Sequence, residues 1–348
     1  MINERRTAIL NIIVEQYIKT GEPIGSKTLC LLLPYSVSSA TIRNEMAYLT
    51  ELGFLEQRHT SGGRVPTRLA YRYYVDNLMQ EKEINDYNKN LIFESLSVNA
   101  GDPERLLADA AKLISRYTNC AGFCCMLDDS LDCIQGVDLI PAGNNKAMLV
   151  MLTLGSKIKS SLVNLPCRLD DEFRYIFHEV INRLFVGKPL IQVNTALVQS
   201  SLLIARHRTF DLLPVLTSLC ALCKEASQSK LTIEGETNLL SHDELGGDIY
   251  KLLSVLADKK KIISMIKDFS SSSTKSAMLI GEENPLYDIK NTTTVLSKFT
   301  YGNNQQAVLG MLGSTRIDYP AVLAYVKYII SVVDNILEVQ NGERKEKA

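Results

Sequence analysis

The chain has 348 residues, 46% of them hydrophobic and 22% charged, a balance that fits a packed globular protein and excludes a disordered chain, a collagen and a coiled-coil rod. At about 150 residues per domain it is long enough for two or three domains. Lys and Arg number 38 against 39 Asp and Glu, so no global field draws the molecule to nucleic acid or anionic lipid, and any polyanion site must be local.

Residues 4–19 turn Ile9, Ile12, Ile13, Val14 and Tyr17 toward one face, with Asn3 placed to cap the start and Gly21 to end it, which predicts a first helix. Pro23 and Gly25 make a short connection, Ser26 is the expected cap, and Lys27 to Leu33 predicts a second short helix that stops at Pro34. Val37-Ser38-Ser39 leads into a third helix, where Ile42, Met46, Leu49 and Leu52 recur at helical spacing and Gly53 is the expected left-handed terminator. Two short helices across a tight turn are the layout of a helix-turn-helix reader. Ser38, Ser39 and Thr41 offer hydroxyls to phosphates or base edges, Arg43 has the planar fork that fits guanine O6 and N7, and Asn44 has the amide that fits adenine. A solvated surface helix would show the same polar face, so this helix does not decide the matter alone.

Phe54 to Gln57 reads as a strand, His59-Thr60-Ser61-Gly62-Gly63 as a turn, and Arg64-Val65-Pro66 as a returning strand, together a hairpin wing. No acidic residue occurs from Gln57 through Val75, while Arg58, Arg64, Arg68 and Arg72 supply four positive charges. Arg58 and Arg64 are expected to straddle a phosphate backbone, with His59, Thr60 and Ser61 at the tip and the Gly62 and Gly63 amides free to approach it. Helix, turn, helix and wing in this order point to duplex DNA, with no catalytic residues, cofactor or metal.

A helical stretch from Tyr71 to Asn90 bridges out of this region, with a boundary near residue 80. Asp102-Pro103-Glu104 opens a helix to about Tyr117. Strands are predicted at 120–127, 133–140, 147–154 and 160–165. A helical block follows, with Phe173, Ile176, Phe177, Val180, Ile181 and Leu184 at helix spacing and a second run from Thr209 to Ala226. Strand-like segments return at 276–280 and 293–300. Strands on both sides of a helical block imply one α+β domain interrupted by an insertion. From Pro320 a last helix sets Val322, Val326, Ile329, Val333 and Ile336 on an a/d seam, which suits a coiled coil and a core-facing helix equally.

GSKTL (25–29), VSSATIRNEMAYLTELGFLEQRHTSGGRVPT (37–67), YRYYVDNLM (71–79), EGETNLL (234–240), IGEEN (280–284) and LGSTRIDYPAVLAYV (312–326) resemble the HrcA family of heat-inducible transcription repressors over nearly the whole length. The family usually has Ala where Gly63 stands, which leaves a flexible turn here. It has Gly-Pro-x-Arg-Met where Gly313-Ser314-Thr315-Arg316-Ile317 stands, which puts the rigidity of that loop in question. The resemblance implies an N-terminal winged helix-turn-helix (1–80), a split GAF-like α+β domain (81–166 and 241–340), an inserted dimerising domain (167–240) and a charged tail (341–348). It also implies a homodimer on an inverted-repeat operator ahead of chaperone operons, with activity maintained by the GroEL chaperonin. A regulator whose GAF-like domain senses a small molecule is the alternative.

Eight cysteines in a chain whose first residues lack an apolar export core are expected to be reduced thiols of a cytoplasmic protein, and no run of about 18 apolar residues predicts a membrane span. Cys220-Ala221-Leu222-Cys223 lacks a second ligand pair for zinc. The Glu234-Gly235-Glu236 and Glu282-Glu283-Asn284 clusters read as structural turns. An enzyme with a winged-helix head, of the biotin-ligase kind, would need a Gly-Arg-rich adenylate loop that this sequence lacks.

Overall fold

The structure, a computed structural model, describes residues 3–57, 63–127, 132–143, 145–155, 157–202, 208–284, 289–301 and 305–346. Its architecture is α+β, and the chain divides into two compact units. One is built from Met1–Cys125, Leu231–Lys298 and Val308–Val339, the other mainly from Met126–Lys230.

The first unit begins with three helices and a hairpin. Helix α1 (Glu4–Thr20) is capped by Asn3, whose side chain accepts from the Arg6 amide, and ends at Gly21 with φ 72°, as predicted. It buries Ile9, Leu10, Ile13, Val14 and Tyr17. Helix α2 (Ser26–Leu32) starts one residue early: Gly25 holds the cap position, and Ser26 is the first helical residue, because its hydroxyl is engaged elsewhere. Helix α3 (Ser39–Glu51) is capped by Ser38 and buries Ile42, Met46 and Leu49, with Gly53 following at φ 79°. Strands β1 (Leu55–Glu56) and β2 (Val65–Pro66) pair antiparallel, and an Ile24–Arg64 bridge adds a third rung.

That bridge corrects the expectation for Gly63. A Cβ there would overlap the Ile24 backbone, so the glycine answers a close approach of two chains and is not a flexible hinge.

The predicted helix over 71–90 is broken. Helix α4 (Arg68–Tyr73) runs into one π turn (Tyr74–Leu78), and Met79 is extended. Helix α5 (Asp86–Ser97) then starts afresh at Asn85, whose side chain caps the Asn88 amide at 2.8 Å. The cap competes with helix continuation, and it prevails over propensity. Helix α6 (Pro103–Thr118) has the predicted Asp102 cap and leads into β3 (Ala121–Met126).

In the second unit β4 (Ile134–Pro141), β5 (Lys146–Thr153) and β6 (Ile158–Asn164) form an antiparallel sheet in that order. Helices α7 (Asp171–Leu184), α8 (Thr195–Leu202) and α9 (Thr209–Ala226) share its core, in which Leu139, Leu149 and Met151 join Phe173, Phe177, Ile181, Leu212 and Leu216. Arg208 ties the start of α9 to the start of α7 by pairing with Asp170, Glu172 and Asp211. The strands over 134–164 therefore belong with the helical block. Strand propensity fixes an element, and it does not say which sheet the element joins.

The chain then re-enters the first unit. Strand β7 (Lys230–Glu234) neighbours β3, and the five-stranded order is β7-β3-β10-β9-β8, with helices α10 (Ile249–Ala257) and α11 (Lys259–Ser271) preceding β8 (Ser276–Ile280), β9 (Thr292–Tyr301) and β10 (Gln305–Ser314). After β7, Gly235 turns at φ 70° and Asn238 donates to the Ser115 hydroxyl at 3.0 Å and to the Cys120 carbonyl at 3.3 Å, stapling the end of α6 to the sheet. Helix α12 (Tyr319–Glu346) continues through residues expected to be a tail. Val322, Val326, Ile329 and Val333 are buried inside the unit, which favours the core-facing reading of its seam. Its Tyr325 stacks on Tyr117 at 4.7 Å and accepts from Asn88.

Candidate nucleic-acid interface

The apolar face of α3 is buried, so its other face is fixed by the helical period and turns outward. Arg43 and Asn44 are both exposed on it, and neither bonds to another described residue. These are the two side chains with the bidentate groups that read guanine and adenine.

The three hydroxyls serve the fold. The Ser38 oxygen accepts from the Thr41 amide at 3.1 Å and meets the Thr41 hydroxyl at 2.8 Å. Ser39 Oγ lies 2.8 Å from Ser26 Oγ, closing α2 against α3. They hold the reading helix in place, and only exposed Ser38 keeps an open side. Lys27, next to Ser26 in the GSKTL motif, is exposed, a cation that the sequence reading does not offer as a DNA contact.

Behind the helix, Glu45 is fixed by Arg6 at 2.6 Å and Arg5 at 3.7 Å, and the Arg6 guanidinium lies 3.7 Å over the Tyr48 ring. The hydrogen bond to Glu45, against the opposing effect of burial, pushes the Arg6 pKa above its ordinary value. Two basic residues near the head's N-terminus are thus committed to locking α1 on α3.

The predicted basic wing is brought together only in part. Arg64 donates from Nε to the Thr50 hydroxyl at 3.2 Å, which fastens the returning strand to α3, and Gly63 is half-buried beside Ile24. Arg58, His59, Thr60, Ser61 and Gly62 lie outside the described residues. Arg68 and Arg72 depart from the expectation: Arg68 Nη1 donates to Glu282 at 2.8 Å, and Arg72 donates to Glu283 and to the Met278 carbonyl. Carboxylates from more than two hundred positions along the chain cancel half of a field that looks uncompensated in the linear sequence.

The loop at 313–317 is firmly held without the family's proline. Ser314 Oγ donates to the Arg316 carbonyl at 3.1 Å and lies 3.0 Å from His242 Nδ1, while Arg316 reaches the Ile18 carbonyl at 3.4 Å. Among the described residues no group of three or more metal-ligating side chains occurs, and no helix is long and apolar enough to cross a membrane.

A family model described as the HrcA protein C-terminal domain matches residues 104–323. The heat-inducible transcription repressor HrcA of Acetivibrio thermocellus is 30% identical, covering 97% of this chain and 97% of its own, and that of Clostridium botulinum (strain Eklund 17B / Type B) is 31% identical over 98% and 99%. The crystal structure of a hypothetical protein superposes with a TM-score of 0.68 at 23% identity, covering 97% of this chain and 99% of that one. With both the core and the head matched end to end, the chain belongs to the HrcA family of heat-inducible transcription repressors.

Proposed function

We propose that this protein is a cytoplasmic, non-enzymatic repressor of chaperone operons that binds an inverted-repeat operator as a homodimer through a winged helix. The observation that carries the reading is the pair Arg43 and Asn44, exposed and uncommitted on a helix whose every other anchor is fixed. Ser38, Ser39, Thr41 and Arg64 frame them, and Arg58, His59, Thr60, Ser61, Gly62 and Gly63 are assigned to the same DNA-binding role from the sequence. One winged helix makes few base contacts, and affinities of about 10⁻⁸ to 10⁻¹¹ M come from two half-sites read by a two-fold dimer.

The unit at 126–230 is our candidate for the dimerising insertion, with a second copy as its occupant. Register sets Ile140 opposite Met148 and Met148 opposite Leu162 on the sheet face away from the unit's core, and Leu152 opposite Ile158 four residues along. All but Leu152 are exposed, Ile158 by 69%. An apolar row of this kind across three strands is uncommon on a surface that stays free.

The remaining sheet, covered by α10 and α11, is read as the GAF-like domain. The alternative of small-molecule sensing requires room there, and the apolar cleft among Phe123, Ile233, Leu256, Ile262, Met265 and Leu312 holds about 10 Å³. Pockets that bury a drug-sized ligand measure roughly 300–1,000 Å³.

Dependence on GroEL would follow if the repressor is marginally stable and competes with heat-unfolded proteins for chaperonin. Footprinting the protein on DNA upstream of its own gene, with and without chaperonin, tests the whole reading. Two protected half-sites, recovered after heating only when chaperonin is present, support it. Absence of protection at low ionic strength rejects it.

A further inference from the structure

Thr67 and Arg68 sit at the opposite end of α3 from its reading residues. The Thr67 hydroxyl donates to the Gly53 carbonyl at 2.6 Å, just beyond the last helical residue. Arg43 and Asn44 lie in the first two turns of the 13-residue helix. At about 1.5 Å per residue, Arg43 and Asn44 are roughly 15 Å along the axis from Gly53. A grip on Arg68 therefore acts on the helix from the end away from Arg43.

The grip is the turn at 280–284, a sequence signature that DNA contact leaves unexplained. Glu282 receives Arg68 at 2.8 Å and Lys290 at 3.2 Å on its two oxygens. Glu283 receives Arg72 and is steadied by the Ile280 amide at 3.0 Å. Gly281 has φ 61°, and a Cβ there would stand 2.9 Å from Arg68 Cδ, so the turn is hollowed where the arginine stem lies. Behind the ion pairs the buried Tyr71 ring lies 5.8 Å from that of Tyr319, and Tyr17 donates to Glu244 at 3.1 Å. Lys290 and Arg68 hold the Glu282 carboxyl below the usual carboxylate range. Burial works to raise Glu283, and Arg72 with the Ile280 amide outweighs it.

We propose that the 280–284 turn is a socket that holds the recognition helix at a fixed angle to the core, so that Arg68, Arg72, Glu282 and Glu283 are positioning residues that determine which half-site spacing the dimer accepts. This rests on the dimeric DNA-binding reading above. Two rigidly aimed heads fit one spacing. Heads freed from their sockets tolerate several, and bind the correct one more weakly because the second half-site is met at lower effective concentration.

The test uses the full chain and Glu282→Gln/Glu283→Gln, isosteric changes at partly exposed positions that leave the core untouched. The DNA is the protein's own upstream inverted repeat at native spacing, with spacers lengthened by 2 and 5 base pairs, and as a single half-site. The variant should match wild type on the half-site, lose about tenfold at native spacing, and shrink a wild-type insertion penalty of more than about tenfold to less than about threefold. Without DNA, amide exchange in α4 and at 280–284 should quicken. Restoring the pairs in reversed polarity, with Arg68→Glu/Arg72→Glu in Glu282→Arg/Glu283→Arg, should bring the spacing preference back.

An unchanged spacing profile in the double Gln variant overturns the proposal, even where exchange quickens, because the socket is then structural only. Wild-type protein that binds no inverted repeat rejects the DNA-binding reading, and the spacing role with it. Exchange still reports in that case whether the socket holds α4.

Discussion

Ser26 and Ser39 face each other oxygen to oxygen at 2.8 Å, one at the start of each helix of the helix-turn-helix. Ser26 is buried, so its hydroxyl depends on this partner. Ser39→Ala should lower stability by about 1 kcal/mol, the usual cost of a lost neutral hydrogen bond with one partner left buried. Ser26→Ala should cost about the same, and the double variant little more. Urea unfolding of the three variants checks this, and strictly additive losses would show that the two hydroxyls act apart.

Arg43 and Ser38 are five residues apart on the same helix, and their removal should have opposite signatures. Arg43→Ala removes an exposed, uncommitted fork and should weaken operator binding by about 1–3 kcal/mol while leaving thermal stability unchanged. Ser38→Ala removes a helix cap and should destabilise the head by about 0.5–2 kcal/mol, with operator loss only as far as the helix frays. Titration of specific and random duplexes, beside melting curves, separates them. A variant of Arg43 that loses equally on both DNAs would reduce that residue to a phosphate contact.

What the sequence discloses here follows from local rules. Caps at Asn3 and Asp102 and left-handed ends at Gly21 and Gly53 are written in one or two side chains, and the structure has each of them, whereas Ser38, read as a DNA contact, caps α3 and Ser26, read as a cap, does not cap α2. Arg43 and Asn44 are legible because helical period alone turns them outward. The partners of Arg68 and Arg72 are not, since Glu282 and Glu283 enter from another part of the chain and no spacing rule connects them. The strands of the second unit are a similar case: β4 to β6 look like β3 in composition, and only their hydrogen bonding assigns them to a different sheet. EGETNLL is visible as a motif, but its role appears only when Asn238 is seen bonding to Ser115 and Cys120.

The cysteines give an inexpensive check of the cores. Burial pushes the thiols of Cys120 and Cys223 up to about 12 and that of Cys124 to about 11. At pH 8 their thiolate fractions are on the order of 10⁻³ to 10⁻⁴, and the sulfurs are also out of reach of reagent. Iodoacetamide should therefore label Cys30, Cys133, Cys167 and Cys220, which are half-buried, and spare the four buried ones, Cys120, Cys124, Cys125 and Cys223, until denaturant is added. Peptide mapping by mass spectrometry reads this directly. Early labelling of Cys223 would mean that the core joining Met151 to α9 is open in solution.

Acid should undo the socket before it unfolds the protein. Lys290 and Arg68 lower the Glu282 pKa, and Glu283 is lowered on balance by Arg72 and the Ile280 amide despite its burial. A carboxyl whose folded pKa lies below its unfolded value, about 4.3 for Glu, stabilises the docked head fully above that value, and the contribution fades as pH falls through the depressed folded pKa. Asp76, 3.5 Å from Arg72, gives the arginine a second, weaker anchor. Docking should thus be constant around neutral pH and weaken only below the ordinary Glu value of about 4.3. The chain has no Trp, so near-ultraviolet dichroism is dominated by its tyrosines, and buried Tyr71 and Tyr319 sit at this joint. Wild type should show an acid step in that signal that Glu282→Gln/Glu283→Gln lacks, because the variant has lost both Glu carboxylates of the turn. An identical acid step in both proteins would place the transition elsewhere, among carboxylates such as Asp170 that is held low by the Phe173 amide and Arg208 in the other unit.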